Sequence, residues 1–471
     1  METFQRLSGI VNDTVYTYYV IPLLIFIGVF YTLLIRGGQF THLKHVIHLI
    51  TQPSKNSGNE DSISPFKAFT ISAASHIGTG NVVGVAAAIA SGGPGAVFWM
   101  WVTALIGGAS SFVENTLGQI FKIRDEEGTF HGGPAYYIDK ALKKPKISIF
   151  FSIIISIVYG FMFNAMQSNT IAAAFRNSFQ ANEKIVGIVL VIVAGAIIFG
   201  GLKRIADVTS FLVPIMAVLY MGLAIFIVIK NITLIPHVFS LIFRAAFSVK
   251  AVAGGTIGAA IRNGVRRGLF SNEAGMGAVP NASAVADVSH PAKQGLIQAM
   301  GVYLDTILVC SATAFIIIIG GEGIYGDVAL EGLDITQKAL ATEVGSWSDP
   351  FLTACVLMFA FSSIIGNYYY GENNINHLNW GKSGLTIYRV LVLVVLFVGT
   401  VSDFSIVWNT GDIFMGIMAC INLVSLLFLG KIAVEVYFDY FKQIGQGIDP
   451  VFDPTTIKSL EKHLDEVECW K

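Results

Sequence analysis

The sequence predicts an all-α polytopic membrane protein of about 11 transmembrane helices, one N-terminal helix followed by a 5+5 inverted repeat with two broken helices. Three observations carry that expectation. Hydrophobic residues make up 54% of the 471-residue chain and charged residues 13%, about half the charge of a soluble domain. Apolar runs close to the length that crosses a bilayer, about 20 residues, recur along the whole chain. Two of those runs carry Gly, Ser, Asn and Glu at their centres, where an unbroken membrane helix would carry leucine.

The runs fall at roughly 18–36, 66–90, 95–121, 148–175, 185–200, 205–229, 253–288, 293–321, 350–371, 384–401 and 410–430. The first is long, lacks an A-x-A site and is followed by a basic loop, so it reads as a span and not as a cleavable signal. Basic residues in short loops favour the cytoplasm. Arg36, Lys44, Lys55 and Lys67 mark the first loop, six bases lie at 122–147, and five lie after 430. The segment 322–349 holds six acids and one base, Lys338. With 11 crossings these loops place the N-terminus outside and the C-terminus inside. Arg262, Arg266 and Arg267 lie in an interrupted span and stay unassigned. The chain divides accordingly into 1–65 (N-terminal helix and loop), 66–229 (first repeat), 230–430 (second repeat) and 431–471 (cytoplasmic tail).

The second run is broken at Gly78-Thr79-Gly80-Asn81 and the seventh at Ser271-Asn272-Glu273-Ala274-Gly275-Met276-Gly277. Unwound backbone survives at membrane depth only where it lines a cavity or is buried in protein. Spans 2–6 and 7–11 each begin with a broken helix, and an odd repeat length makes the two sets enter the bilayer from opposite sides. That is the plan of secondary transporters that bind substrate at the paired breaks. Half-helix N-termini suit a carboxylate, and freed carbonyls suit Na⁺.

Other classes lack their signatures. The 30 basic residues nearly cancel 31 acidic ones, so no charge excess points to nucleic acid. There is no HExxH, GxSxG or Walker motif, and an enzyme is not expected. Repeated filter loops or rings of charge, which a channel would need, are also missing. Cys310, Cys355, Cys420 and Cys469 show no metal or redox spacing. His42, His45 and His48 read as a solvated helix face. Glu114, Asp305 and Asp412 read as interhelical bonding. Glu273 is an acid inside a span, which marks a functional hypothesis, and His76 can titrate near neutral pH.

Five stretches together resemble the alanine or glycine:cation symporters. They are Gly78-Thr79-Gly80-Asn81, Gly92-Gly93-Pro94-Gly95-Ala96, Gly132-Gly133-Pro134-Ala135-Tyr136-Tyr137-Ile138, Arg267 through Gly275, and Tyr369-Tyr370-Gly371-Glu372. The resemblance covers about 20–430 and implies a leucine-transporter-like fold with one helix in front. It further implies Na⁺ symport, with H⁺ as the alternative ion, of a small neutral amino acid such as alanine or glycine. The host membrane would be a prokaryotic plasma membrane, and the protein a monomer. For site residues the resemblance implies substrate binding by Gly78, Thr79, Gly80, Asn81, Gln167, Phe270 and Ser271. It implies a Na⁺ shell from Ser362, Ser363 and the carbonyls of Ala74 and Ile77. Many members carry a tryptophan where this chain has Asn367. The smaller, polar residue leaves room for a longer side chain, with glutamine as the alternative substrate. A membrane receptor or an H⁺-coupled exchanger is the reading from another class.

Overall fold

The computed structural model describes residues 2–51, 63–126, 128–247, 256–327, 329–330, 332–402 and 404–470; Lys55 and the start of the seventh predicted span lie outside them. Eight helices among the described residues are long and apolar enough to cross a membrane. They are α1 (Leu7–Leu34), α5 (Gly95–Ile120), α6 (Pro145–Phe179), α8 (Gly201–Lys230), α12 (Pro291–Gly320), α14 (Ser348–His377), α15 (Gly381–Thr400) and α16 (Phe404–Gly445). A ninth crossing is the pair α3 (Pro65–His76) and α4 (Gly80–Gly92), bent by 46° at its break.

Two of the 11 predicted spans are not long continuous helices. The run at 185–200 is α7, Glu183–Ile198, and its 16 residues rise only about 24 Å. Its exposed Ile185, Ile188, Val189 and Ile192 and buried Gly187, Leu190 and Ala194 nevertheless fit a helix with lipid on one face and protein on the other. The run at 253–288 is α10 (Thr256–Asn272), an irregular stretch, and the single turn α11 (Pro280–Ser283). The helix α9 (Ile232–Ala246) precedes it, and α13 (Leu333–Val344) lies in the acidic segment before α14.

The last helix does not stop near 430. It continues to Gly445 because Val436, Tyr437 and Tyr440 are buried against α2 (Leu43–Thr51) and its approach. His42 stacks on Phe441 at 3.9 Å, and His45 Nε2 lies 2.7 Å from the Tyr440 hydroxyl. The solvated face expected for His42 and His45 is therefore a packed one. Beyond α16 the chain folds back on the helix ends, where Trp470 Nε1 donates to the Gln119 carbonyl at 3.0 Å.

Candidate substrate and cation site at the paired helix breaks

The first break is set by glycine. After His76, Ile77 leaves helical geometry (φ −82°, ψ 86°), and the chain turns helical again at Gly80. A Cβ on Gly78 would lie 2.2 Å from Ser363 Oγ, so only glycine lets α14 approach this closely. The freed amides find side-chain oxygens: Gly78 N donates to Asn81 Oδ1 at 2.8 Å and Thr79 N to Gln167 Oε1 at 3.3 Å.

In the second break, α10 ends at Asn272, whose Oδ1 accepts from Ala274 N at 3.1 Å. Glu273 then adopts φ +55°, and Gly275 and Gly277 adopt +79° and +82°. Glu114 on α5 holds this stretch. Its Oε1 accepts from Gly275 N and its Oε2 from Gly277 N, both at 3.0 Å, and Oε2 also takes Asn422 Nδ2 at 2.7 Å. A carboxylate accepting backbone amides replaces the helical carbonyls that unwinding removed.

Asp305 joins the two breaks. It is fully buried on α12 and accepts from Asn81 Nδ2 at 2.5 Å, Ser271 Oγ at 2.7 Å and Thr306 Oγ1 at 2.9 Å. Asn81 Nδ2 also reaches Ser271 Oγ at 3.1 Å. His76 Nδ1 stands 3.8 Å from the same carboxylate. An aromatic wall closes one side: Phe270 packs against Phe163 (4.9 Å between ring centroids) and Trp408 (5.2 Å), and a Cβ on Gly80 would meet its ring at 3.0 Å. Above it Arg267 forms a bidentate pair with the buried Asp412, at 2.7 and 3.2 Å, and lies over Trp408.

The structure thus brings Gly78, Thr79, Gly80, Asn81, Gln167, Phe270 and Ser271 together. The expected cation residues divide. Ser363 Oγ donates to the Ala74 carbonyl at 2.8 Å, and Ile77 directly precedes Gly78. Ser362 is not directed at the break; its hydroxyl lies on the Phe359 carbonyl at 2.9 Å and near Met216 Sδ at 3.5 Å. Asn367 faces the end of α3, its Oδ1 accepting from Ser75 Oγ at 2.7 Å. The residues that sequence reasoning undervalued are Asp305 and Glu114. Acids inside apolar spans were the available signal.

The chain matches the sodium:alanine symporter family over residues 1–454. It is 45% identical over 469 residues to a probable sodium/glutamine symporter of Bacillus subtilis (strain 168), covering 100% of this chain and 96% of that one. An amino-acid carrier protein of the same organism is 47% identical over 468 residues, with 99% and 98% covered. A sodium/alanine symporter of Methanococcus maripaludis is 36% identical over 437 residues, with 92% and 96% covered. The crystal structure of MhsT in complex with L-phenylalanine shares the fold, with a TM-score of 0.51 at 16% identity and 87% and 93% of the two chains covered. The chain belongs to the sodium:alanine symporter family, whose members are sodium-coupled amino-acid transporters and not enzymes.

Proposed function

We propose that this symporter imports a small neutral amino acid such as alanine or glycine with Na⁺, as a monomer in a prokaryotic plasma membrane, N-terminus outside and C-terminus inside. The observation that carries the reading is the joining of the two breaks through Asn81, Ser271 and Asp305. In that arrangement the substrate α-carboxylate takes the amides of Gly78 to Gly80 at the start of α4, where the helix dipole favours an anion. Gln167, Phe270 and Ser271 flank it. Na⁺ takes Ser363 Oγ and the carbonyls of Ala74 and Ile77, a shell of hard oxygens.

A second reading, glutamine as the substrate, is favoured by Asn367 beside the first break and by the relative named a probable sodium/glutamine symporter. The test is labelled alanine uptake into proteoliposomes, challenged by glycine, serine, glutamine and D-alanine, with and without Na⁺. Uptake that requires Na⁺ and is blocked by a neutral amino acid is expected. Uptake driven equally by a proton gradient without Na⁺ would assign the coupling to H⁺, and alanine amide competing as well as alanine would remove the carboxylate role of the first break.

A further inference from the structure

Buried polar atoms without partners cluster beside the first break. Ser75 Oγ lies 2.7 Å from Asn367 Oδ1 and 3.2 Å from Glu273 Oε1. The opposite atoms of those same two groups, Asn367 Nδ2 and Glu273 Oε2, have no hydrogen-bond partner. Neither do the hydroxyls of Tyr159 and Tyr370, whose rings pack edge to face at 5.0 Å and which stand next to Glu273. All four residues are at most 2% exposed. Native proteins leave few such groups unsatisfied, because each one costs desolvation free energy that nothing returns. Glu273 is also held at φ +55°, a left-handed conformation that non-glycine residues keep mainly where function requires it.

The cluster has a defined place. Ser75 precedes Gly78 by three residues, Glu273 follows Ser271 by two, and Asn367 follows Ser363 by four, so Ser363 and Asn367 share one face of α14. The unpaired atoms therefore lie about one helical turn, 5 Å or so, from the groups assigned to the substrate backbone and the cation. A side chain of glutamine's length spans that distance.

We propose that Glu273 and Asn367, with the Tyr159 and Tyr370 hydroxyls, form a subsite for the side-chain carboxamide of the transported amino acid. This rests on the transport reading given above and assigns its substrate class. The ligand's amide N–H groups donate to Glu273 Oε2, and its amide oxygen accepts from Asn367 Nδ2 and a tyrosine hydroxyl. A carboxamide is the group that offers donor and acceptor side by side. Glutamate would set a second carboxylate against Glu273 in a medium of low dielectric. An aliphatic chain would leave all four atoms unpaired, and asparagine is one methylene short.

The experiment is competition against labelled glutamine uptake by the full-length protein in proteoliposomes. The competitors are norvaline, glutamate γ-methyl ester and glutamate. Sites built to bond a polar group reject analogues that lack it strongly, so norvaline is expected to compete at least about tenfold less well than glutamine. The methyl ester, which keeps the carbonyl and loses the N–H donors, should fall between them, and glutamate should compete least. Asn367→Leu should shrink the ratio of glutamine to norvaline, and Glu273→Gln should admit glutamate. Norvaline or glutamate matching glutamine in the parent protein overturns the subsite, as does uptake of alanine without glutamine; neither touches the transport reading. Loss of Na⁺-dependent uptake of both amino acids in the parent protein overturns the transport reading itself. The ligand series in the unaltered protein decides the matter even if either variant fails to fold.

Discussion

Glu114→Gln isolates what a carboxylate does for the second break. Glu114 offers two oxygens to three donors, Gly275 N and Gly277 N at 3.0 Å and Asn422 Nδ2 at 2.7 Å. Glutamine offers one. Its better orientation keeps the oxygen on Gly277 and Asn422 and turns an NH₂ group toward the Gly275 N–H. One charge-assisted hydrogen bond is lost, about 1.5–3 kcal/mol, and two donors are forced together. Glu114→Ala orphans all three buried donors at about 1–3 kcal/mol each, so roughly 3–9 kcal/mol in sum. Equilibrium unfolding in mixed detergent micelles should order the proteins as parent, Gln, Ala, and Na⁺-dependent uptake should fall in the same order. A Gln variant as stable as the parent would refute the reasoning, since it would mean that the group accepts as a neutral acid. An Ala variant no worse than Gln would show that the amides of the break find other partners.

Four further outcomes are expected. Ser363→Ala removes the hydroxyl that meets the Ala74 carbonyl and should raise the Na⁺ concentration for half-maximal uptake about five- to 150-fold, the equivalent of about 1–3 kcal/mol; Ser362→Ala, whose hydroxyl faces Met216, should change it less than threefold, about 0.65 kcal/mol. Gly78→Ala places a methyl 2.2 Å from Ser363 Oγ and should abolish uptake while the protein still reaches the membrane, as judged by surface labelling. Asp305→Asn halves the oxygens available to Asn81, Ser271 and Thr306 and should lower substrate affinity, measured by binding in detergent, about tenfold or more. Asn367→Trp fills the space beside Ser75 and should suppress glutamine uptake more than alanine uptake, with equal losses refuting a role in side-chain selection.

The membrane makes part of this structure legible in one dimension. Lipid offers no partner to backbone groups, so each crossing must be a helix with an apolar surface, and hydropathy alone located the nine crossings that the structure shows as long or bent helices. The breaks were legible for the complementary reason: Gly, Asn, Ser and Glu have no cause to sit at bilayer depth except beside unwound backbone. Helix ends were less so. Lys431 and Glu435 look like the start of a tail, yet α16 runs on to Gly445 because its aromatic face packs on α2. The paired hydroxyls were misjudged by periodicity. Adjacent helical residues point about 100° apart, so when Ser363 meets Ala74, Ser362 is turned toward α8. Asp305 and Glu114 were visible as acids inside apolar runs. Their tasks were not, since Asp305 meets Asn81 224 positions away and Glu114 meets Gly275 161 positions away.

The two breaks differ in what satisfies them, and that difference decides which can respond to a ligand. The amides of the second break rest on a carboxylate, bonded three times and buried. Replacing it would strand a charge away from water, at a cost of several kcal/mol. At the first break the acceptors are neutral amide oxygens, and the bond from Thr79 N to Gln167 is long, at 3.3 Å. Neutral bonds contribute about 1 kcal/mol net, so an arriving substrate carboxylate can take the Thr79 amide and release Gln167 with a net gain. Substrate binding is therefore expected to move Gln167 and the start of α4 while the Glu114 clamp stays in place. Cysteine-accessibility or spectroscopic labels on these two regions should separate under saturating substrate, and a substrate-dependent change at Gly275–Gly277 larger than that at Thr79–Asn81 would invert the assignment.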